Sequence, residues 1–469
     1  MQPMEQKLVI DLDMIRRHDK SGPRYTSYPT AVQFHEGFGE AEYRAWAERT
    51  NEESRVAGRP TPLSLYFHIP FCDTVCFFCG CNKVSTKDRS RAQPYLERVH
   101  KELALQSALF DDNRKVDQLH WGGGTPTFIS HDEMRELMRV TREHFSLHDD
   151  DTGEYSIEID PRVATAETID VLREIGFNRM SLGAQDFDPK VQIAVNRIQS
   201  EEETFATLNE ARKVGFKSIS IDLIYGLPHQ TVKSFAATVD KIIAAEPDRL
   251  SVFNYAHLPE MFKPQRRINE ADLPSATEKL DILQNTNEQL SKAGYVYIGM
   301  DHFAKPDDEL AVAQRERTLY RNFQGYSTHA DCDLIGLGIT SIGKVGATYG
   351  QNIKGLDEYY AAIDAGQLAI FRGLELDADD LLRREVISQL ICHFSLIETD
   401  IEKRFGIDFR DYFAQEMKQL EGLEEDGLLT IRDGVISVLP VGHLLIRNVC
   451  MVFDKYLRQS KEQRFSKVI

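Results

Sequence analysis

The chain has 469 residues, of which 42% are hydrophobic and 28% are charged, and its formal net charge is −18. This composition is typical of a globular protein with two or three domains, and the acidic balance argues against general affinity for nucleic acid, which requires a basic surface. No apolar run is long enough to cross a membrane and the first residues lack the features of a signal peptide, so we expect a cytoplasmic protein without membrane contact.

The first 60 residues are expected to form an arm that precedes the main domain. Its segment 21–30, SGPRYTSYPT, contains aromatic residues and prolines in a pattern too irregular for a helix or a strand. Such aromatic content disfavours a disordered tail. We therefore expect the arm to be ordered.

Residues 61–345 alternate short apolar runs with helical segments, which predicts an α/β domain with a parallel sheet. Helical segments end in glycine at Gly176, Gly215 and Gly294, as is typical of the left-handed position after a helix. Polar residues close nearly every strand, where β/α barrels carry their sites, so a partial barrel is favoured over an open doubly wound sheet. The predicted strands are LSLYFHI (63–69), VDQLHW (116–121), YSIEID (155–160), RMSLGAQ (179–185), SISIDLIY (218–225), RLSVFNYA (249–256) and VYIGMD (296–301).

The loop after the first predicted strand contains four of the seven cysteines, at Cys72, Cys76, Cys79 and Cys81. So local a cluster is typical of a metal or redox site rather than of a disulfide framework. The spacing of the first three lets them bind one iron–sulfur cubane and leave its fourth iron open. Zinc is the alternative, although zinc sites usually pair two such knuckles. Because a fourth ligand at Cys81 would crowd the cluster, we interpret Cys81 as a non-ligand.

Residues 346–469 are predicted to form a mostly helical C-terminal domain. Within it, Arg432-Asp-Gly434 turns the chain between two short β-runs, which is typical of a winged-helix hairpin. Nucleic-acid binding is the usual association of that hairpin, but a fold does not fix a function. We favour a covering or packing role for this domain.

The cysteine spacing after the first strand of a partial barrel is similar to the signature of the radical S-adenosylmethionine (SAM) superfamily. Longer segments resemble one family within it, the oxygen-independent coproporphyrinogen III oxidases, from about residue 20 to LIRNVCMVFD at 445–454. Those segments are SGPRYTSYPT, LYFHIPFCDTVCFFCGCN, QLHWGGGTPT, SIEIDPR, FNRMSLGAQDF, IDLIYGLP, NYAHLP, MDHFAKPDDELA and RNFQGY.

The resemblance implies a [4Fe–4S] cluster on Cys72, Cys76 and Cys79, whose open iron binds SAM, and a second SAM beside the first. It implies catalytic roles for Tyr66, Glu158 and Gln324. The residues implied to bind SAM lie at strand ends and in the glycine turn: Tyr66, Phe78, Gly123, Gly124, Thr125, Glu158, Gln185, Arg197, Asp222, Ala256 and Ile342.

The reaction implied is oxidative decarboxylation of coproporphyrinogen III to protoporphyrinogen IX, which converts two propionates to vinyl groups. Because the substrate carries four propionates, arginines are expected around it, since a guanidinium can bond both oxygens of a carboxylate. Arg24, Phe323 and Gln324 are the expected substrate contacts, and because Arg24 belongs to the N-terminal arm (1–60), the arm is expected to lie near the substrate. Further basic candidates are Arg266, Arg267 and Arg321. The reaction needs an external electron donor and acceptor, and we expect a monomer.

Two alternatives remain open at this point. A related radical SAM haem-trafficking protein or a methyltransferase would have the same barrel, although the arm segment 21–30 and the string Cys79-Gly-Cys81 favour the oxidase family. From another class, zinc at the cysteines and a C-terminal winged hairpin would make a nucleic-acid reader. The acidic charge opposes that function.

Overall fold

The computed structural model describes residues 8–18, 20–330 and 332–459. They form two compact units. The sheet unit comprises the described residues of Phe34–Pro274 and Asp331–Glu375, and the terminal unit comprises those of Met1–Gln33, Ser275–Ala330 and Leu376–Ile469. These units divide the chain at other points than 1–60, 61–345 and 346–469, and that three-part organisation stays a prediction. The outermost residues of the predicted arm and C-terminal domain lie outside the described residues.

The described residues contain strands and helices throughout both units. The strands are β1 (Leu63–Ile69), β2 (Phe71–Cys72), β3 (Val84–Ser85), β4 (Lys115–Gly123), β5 (Ser146–Leu147), β6 (Glu154–Ile159), β7 (Arg179–Gln185), β8 (Ser218–Tyr225), β9 (Arg249–Asn254), β10 (Val296–Gly299), β11 (His302–Ala304), β12 (Tyr320–Asn322), β13 (Gly325–Ser327), β14 (Asp333–Leu337), β15 (Ile342–Val345), β16 (Thr348–Asn352), β17 (Ile370–Glu375), β18 (Ser395–Ile397), β19 (Leu429–Arg432) and β20 (Val435–Val438). The helices are α1 (Leu12–His18), α2 (Glu40–Val56), α3 (Ala92–Ser107), α4 (His131–His144), α5 (Ala166–Glu174), α6 (Pro189–Ala194), α7 (Glu201–Lys213), α8 (Val232–Ala245), α9 (Ala276–Lys292), α10 (Glu309–Glu316), α11 (Leu356–Asp364), α12 (Ala378–His393), α13 (Glu398–Phe405), α14 (Phe409–Tyr412), α15 (Ala414–Glu425), α16 (Ile446–Val452) and α17 (Lys455–Gln459). None of these helices combines the length and the apolar character needed to span a membrane.

The sheet unit is built on a mostly parallel sheet, as the sequence predicts. Its strand order is β9-β8-β7-β6-β4-β1-β14-β15-β16-β17. The pairings from β9 to β14 are parallel, and those from β14 to β17 are antiparallel. Helices α3 to α8 connect the parallel strands, so that apolar side chains such as Leu119, Trp121 and Ile221 are fully buried. The carboxyl ends of these seven parallel strands therefore share one edge.

Two strand predictions need correction. The run VYIGMD does form β10, but β10 pairs antiparallel with β11 within the terminal unit. Gly299 and Met300 have positive φ angles of 139° and 53°, which end the strand and reverse the chain. The strand predictions also omitted β14, a buried run of five residues that pairs in parallel with β1.

The terminal unit contains the predicted hairpin and the described part of the arm up to Gln33, while residues 34–60 belong to the sheet unit. Strands β19 and β20 pair antiparallel, and Asp433 and Gly434 between them have φ angles of 53° and 74°, as a two-residue hairpin turn requires. The first part of the arm is anchored through the Tyr25 hydroxyl, which donates to Asp454 at 3.0 Å, and through the fully buried Arg447, which donates to the carbonyl oxygen of Pro23 at 2.8 Å. This part of the arm is thus integral to the terminal unit.

Glu102 on α3 provides a test of the packing of the sheet unit. Its buried carboxylate accepts hydrogen bonds from Gly338 N at 2.7 Å, Asn352 Nδ2 at 2.6 Å and the Tyr359 hydroxyl at 2.6 Å. We predict that the Glu102→Gln variant unfolds at a lower urea concentration than the wild type. The NH2 group of the glutamine would face one of the three donors, and a buried group left without a hydrogen bond costs about 1–3 kcal/mol.

The loss of stability caused by Glu102→Gln should also depend on pH. Burial raises the pKa of Glu102 to about 7, so between about pH 4.5 and 7 the native state holds a proton that the unfolded chain releases. The wild type therefore gains stability over the variant as the pH falls through this range, by up to about 3 kcal/mol. Urea unfolding at pH 5, 6, 7 and 8 measures this, with the exposed Glu97→Gln as control. Parallel pH profiles for wild type and Glu102→Gln would contradict the prediction.

Candidate metal centre and cofactor cavity

A cavity of about 440 Å³ opens in the sheet unit among the cysteine loop, the glycine turn and the ends of the parallel strands. Its volume is in the range of small-molecule sites. The sequence-predicted residues that line it are Cys72, Cys76, Phe78, Cys79, Gly123, Gly124, Thr125, Glu158, Gln185, Arg197 and Asp222. The fold thus brings together residues from five parallel strands and the loops that follow them.

The cysteine loop is fixed by backbone hydrogen bonds at several points. Strand β2 pairs with β3, so Val84 N donates to the carbonyl oxygen of Pro70 at 2.8 Å. Further along, Phe77 N donates to the carbonyl oxygen of Val195 at 2.9 Å. The loop therefore presents Cys72, Cys76 and Cys79 to one cavity from an ordered backbone.

The glycine turn after β4 lies directly against this loop. Gly124 N donates to the carbonyl oxygen of Ile69 at 2.8 Å, and Thr125 N donates to that of Phe71 at 2.8 Å. A Cβ atom at Gly124 would stand 2.6 Å from the carbonyl carbon and oxygen of Pro70, well inside van der Waals contact. Only glycine fits here, so at least this glycine is required for packing the turn on the loop.

Positive charge surrounds the thiol of Cys76. Arg162 Nη2 lies 3.7 Å and Arg197 Nη1 lies 3.6 Å from its sulfur. Both guanidinium groups also bind the carboxylate of Asp160, at 2.6 and 3.1 Å. Although burial raises it, the two arginines hold the pKa of Asp160 below its usual value. The guanidinium groups thus remain in place to stabilise a thiolate.

The other thiols differ in their surroundings. The hydrogen bond from Cys81 outweighs burial and lowers the pKa of Cys79 to about 5, with Lys83 contributing in the same direction. Burial raises the pKa of Cys72 to about 11, although Thr125 Oγ1 donates to its sulfur at 3.5 Å. Three thiols on one cavity wall, with cationic groups nearby, suit the thiolate ligands of an iron–sulfur cluster.

Glu158 projects from β6 into the cavity, where 47% of its side chain is exposed. Its carboxylate accepts a hydrogen bond from Gly123 N at 3.2 Å and lies 3.5 Å from His120 Nε2. Burial raises its pKa, but the contacts with His120 and Gly123 outweigh that effect and hold the pKa below its ordinary value. Glu158 is therefore a carboxylate suited to a ligand's ammonium or hydroxyl group.

The next two strands contribute a strained glutamine and a buried aspartate. Gln185 at the end of β7 has a φ of 65°, next to a register shift in the pairing with β8. Such a conformation in a residue other than glycine is costly and is concentrated at functional sites. Asp222 accepts a hydrogen bond from Ser181 Oγ at 2.8 Å, and burial raises its pKa to about 6.

Several predicted residues lie elsewhere. Tyr66, Ala256 and Ile342 belong to the sheet unit but are not among the residues that line this cavity. The Tyr66 ring stacks on that of His120, with centroids 5.8 Å apart. Arg24, Phe323 and Gln324 belong to the terminal unit.

The cavity residues that sequence patterns did not reveal include Lys83, Asp160 and Arg162. Asp160 does not cap the following helix, since Thr165 caps α5, and it binds two arginines instead. In the segment SIEIDPR, Asp160 and Arg162 are only two residues apart, and this spacing was the available sequence signal for a pair of opposite charges. The role of this pair depends on Cys76, which is 86 residues from Arg162 in sequence but in contact with it in the fold.

Comparison with known proteins gives full-length matches. A model of the radical SAM superfamily matches residues 66–242, and a model of the HemN C-terminal domain matches residues 376–445. The chain is 57% identical to oxygen-independent coproporphyrinogen III oxidase of Pseudomonas aeruginosa over 98% of each chain, and 51% identical to that of Escherichia coli K12 over 99% of each. The solved structure of coproporphyrinogen III oxidase (HemN) from Escherichia coli, a radical SAM enzyme, superposes with a TM-score of 0.91 at 49% identity, covering 96% of this chain and 100% of that chain.

We predict that serine at Cys72, Cys76 or Cys79 abolishes cluster binding, because each variant removes one thiolate ligand. Serine at Cys81 should leave the cluster in place. Iron content and visible absorption after anaerobic reconstitution measure both outcomes. A colourless Cys81→Ser variant would show that the assignment of three ligands is wrong.

Gly124→Ala should also lower iron incorporation, although it changes no ligand. The added Cβ would push the turn away from Pro70 and displace the cysteine loop. Gly422→Ala is the matched control, because nothing lies within 4 Å of a Cβ at that helical position. Equal iron content in the two variants would mean that the contact between turn and loop is dispensable.

Proposed function

The chain belongs to the family of oxygen-independent coproporphyrinogen III oxidases, and from this premise we propose that it decarboxylates coproporphyrinogen III to protoporphyrinogen IX in porphyrin biosynthesis. The observation that carries the proposal is the convergence of three thiols and the polar strand ends on one cavity, in a chain that matches its relatives over nearly its whole length. This is the arrangement that a cluster-bound SAM requires.

The cavity residues have distinct roles in this proposal. Cys72, Cys76 and Cys79 bind the [4Fe–4S] cluster, while Arg162 and Arg197 offset the negative charge of the thiolates. Bound together, the cluster and SAM supply a radical that can remove a hydrogen atom from an unactivated carbon. The other predicted SAM ligands in the cavity (Phe78, Gly123, Gly124, Thr125, Glu158, Gln185 and Asp222) orient SAM, and Tyr66, Ala256 and Ile342 complete the predicted set.

The substrate chemistry needs no proton transfer by a tuned side chain. A propionate that loses a hydrogen atom from its β-carbon, then CO2 and one electron, becomes a vinyl group. The histidines nearest the site are held by other contacts: His68 Nε2 lies 3.0 Å from the carbonyl oxygen of Asn82, and burial lowers its pKa. His120 Nδ1 lies 2.6 Å from Ser156 Oγ. Both histidines therefore serve to position neighbours such as Tyr66 and Glu158.

The remaining expectations belong to the same proposal. An external donor supplies the electron that SAM cleavage consumes, and an external acceptor takes the electron that each decarboxylation releases. All seven cysteines carry free thiols, which suits a reducing cytoplasm. We propose a cytoplasmic monomer that binds a second SAM beside the first.

The activity should appear on anaerobic incubation of the reconstituted enzyme with SAM, a reductant and coproporphyrinogen III. We expect protoporphyrinogen and two molecules of CO2 for each substrate converted. Glu158→Gln should lower the rate about 10- to 100-fold, because an amide replaces a charged hydrogen-bond acceptor. The exposed Glu174→Gln is the control.

Product analysis separates this proposal from the related functions. Failure of the wild type to release CO2 with its cluster intact would overturn the oxidase function. A methylated product would favour a methyltransferase instead.

A further inference from the structure

The hairpin of β12 and β13 in the terminal unit holds a buried arginine without a hydrogen-bonding partner. Arg321 is 8% exposed, and its Nε and Nη1 atoms are buried with no hydrogen-bond acceptor among the described residues. Its guanidinium lies over the ring of Tyr326, 4.7 Å from the centroid, which is the residue opposite it in the hairpin. The ring supports the cation but does not satisfy its donors.

Leaving these donors unsatisfied is costly. Buried charges are normally paired, and each unmet hydrogen-bonding group of a charged side chain lowers stability. The neighbouring arginines show the contrast. Arg24 Nη1 binds the carboxylate of Asp301 at 2.8 Å, and Arg447 donates to the backbone carbonyls of Gly22 and Pro23. The sequence favoured Arg24 as the substrate-binding arginine, but Arg24 already has a carboxylate partner.

Positive charge is concentrated in this region. Arg24 and Arg321 both act to lower the pKa of Arg447, and Asp301 acts in the opposite direction. Burial and the charge of Arg24 lower the pKa of Arg447 to about 10, as expected where cations crowd together. An anion would relieve this repulsion.

The same hairpin offers a second unsatisfied donor. Gln324 Nε2 is buried without a hydrogen-bond partner in the described chain. Gln324 N donates to Asn322 Oδ1 at 2.9 Å, which fixes the turn that carries it. Arg321 and Gln324 thus carry unsatisfied donors within one four-residue segment, and a group that accepts hydrogen bonds and carries negative charge would satisfy both.

We propose that Arg321 and Gln324 form a carboxylate subsite that binds one propionate of the substrate. The inference rests on the proposed function, because the substrate there carries four such groups. The planar guanidinium matches a carboxylate in shape and charge, and the amide of Gln324 adds a donor. The subsite supplies local positive charge for an anionic substrate in a chain whose net charge is −18.

Binding of coproporphyrin III to the reconstituted enzyme tests the subsite independently of turnover. This porphyrin is fluorescent and carries the same four propionates. In its tetramethyl ester all four are esterified, so the ester has no carboxylate. We expect the wild type to bind the acid more tightly than the ester. Arg321→Met should weaken binding of the acid about 10- to 100-fold, as expected for a lost charged hydrogen bond, and leave the ester unchanged. Arg321→Lys should retain part of the preference, because it keeps the charge.

Controls distinguish a binding role from a structural one. The exposed Arg59→Met, which removes an arginine with no role in the proposed binding, should bind both porphyrins as the wild type does. In the ligand-free state, Arg321→Met should melt no lower than the wild type, because it removes a buried unpaired charge. Iron content should be unchanged, and the KM for coproporphyrinogen should rise with the dissociation constant of the acid.

Three results would overturn the subsite. They are an Arg321→Met variant that binds the acid as tightly as the wild type, a variant that loses stability without losing the preference for acid over ester, and a wild type without that preference. If the wild type shows the preference but converts no coproporphyrinogen, the proposed function fails while the subsite stands. The two proposals therefore fail in distinguishable ways.

Discussion

The contact between the glycine turn and the cysteine loop is the constraint on which the rest of the sheet unit depends. Gly124 approaches the backbone of Pro70 so closely that no side chain fits between them. This contact fixes the loop through backbone hydrogen bonds to Ile69 and Phe71, and it leaves the three thiols facing the carboxyl ends of the parallel strands. Because a parallel sheet brings all those ends to one edge, a single short turn positions the loop against the whole set.

Charge is distributed unevenly in this acidic protein. The cavity combines the thiols with Arg162 and Arg197, which share one carboxylate, Asp160. Deep in the sheet unit, Arg114 pairs with Asp333 at 2.6 Å. These guanidinium groups are satisfied within the protein. Arg321 is different because its Nε and Nη1 atoms have no hydrogen-bond acceptor among the described residues, and a buried group without a partner indicates a ligand more strongly than an exposed charge does.

Much of the fold follows from local sequence patterns. Gly176 and Gly215 adopt positive φ angles of 111° and 88° at the predicted helix ends, because that conformation is set by the helix end itself. Six of the predicted strands form parallel pairs. The exception among the predicted strands is β10, whose partner depends on a reversal at Gly299. Strand β14, which was not predicted, completes the parallel part of the sheet by pairing with β1.

The sequence by itself determined that the cysteine loop is a metal or redox site, because thiol spacing within eight residues is a local property of the chain. It also placed Glu158 and Gln185 at strand ends and Asp222 within a strand. Only the tertiary structure decided which charged groups have partners. Arg24 and Asp301 are 277 residues apart in sequence, and no local pattern shows that they pair while Arg321 does not. Pairing depends on which segments the fold brings together and on the water that it excludes.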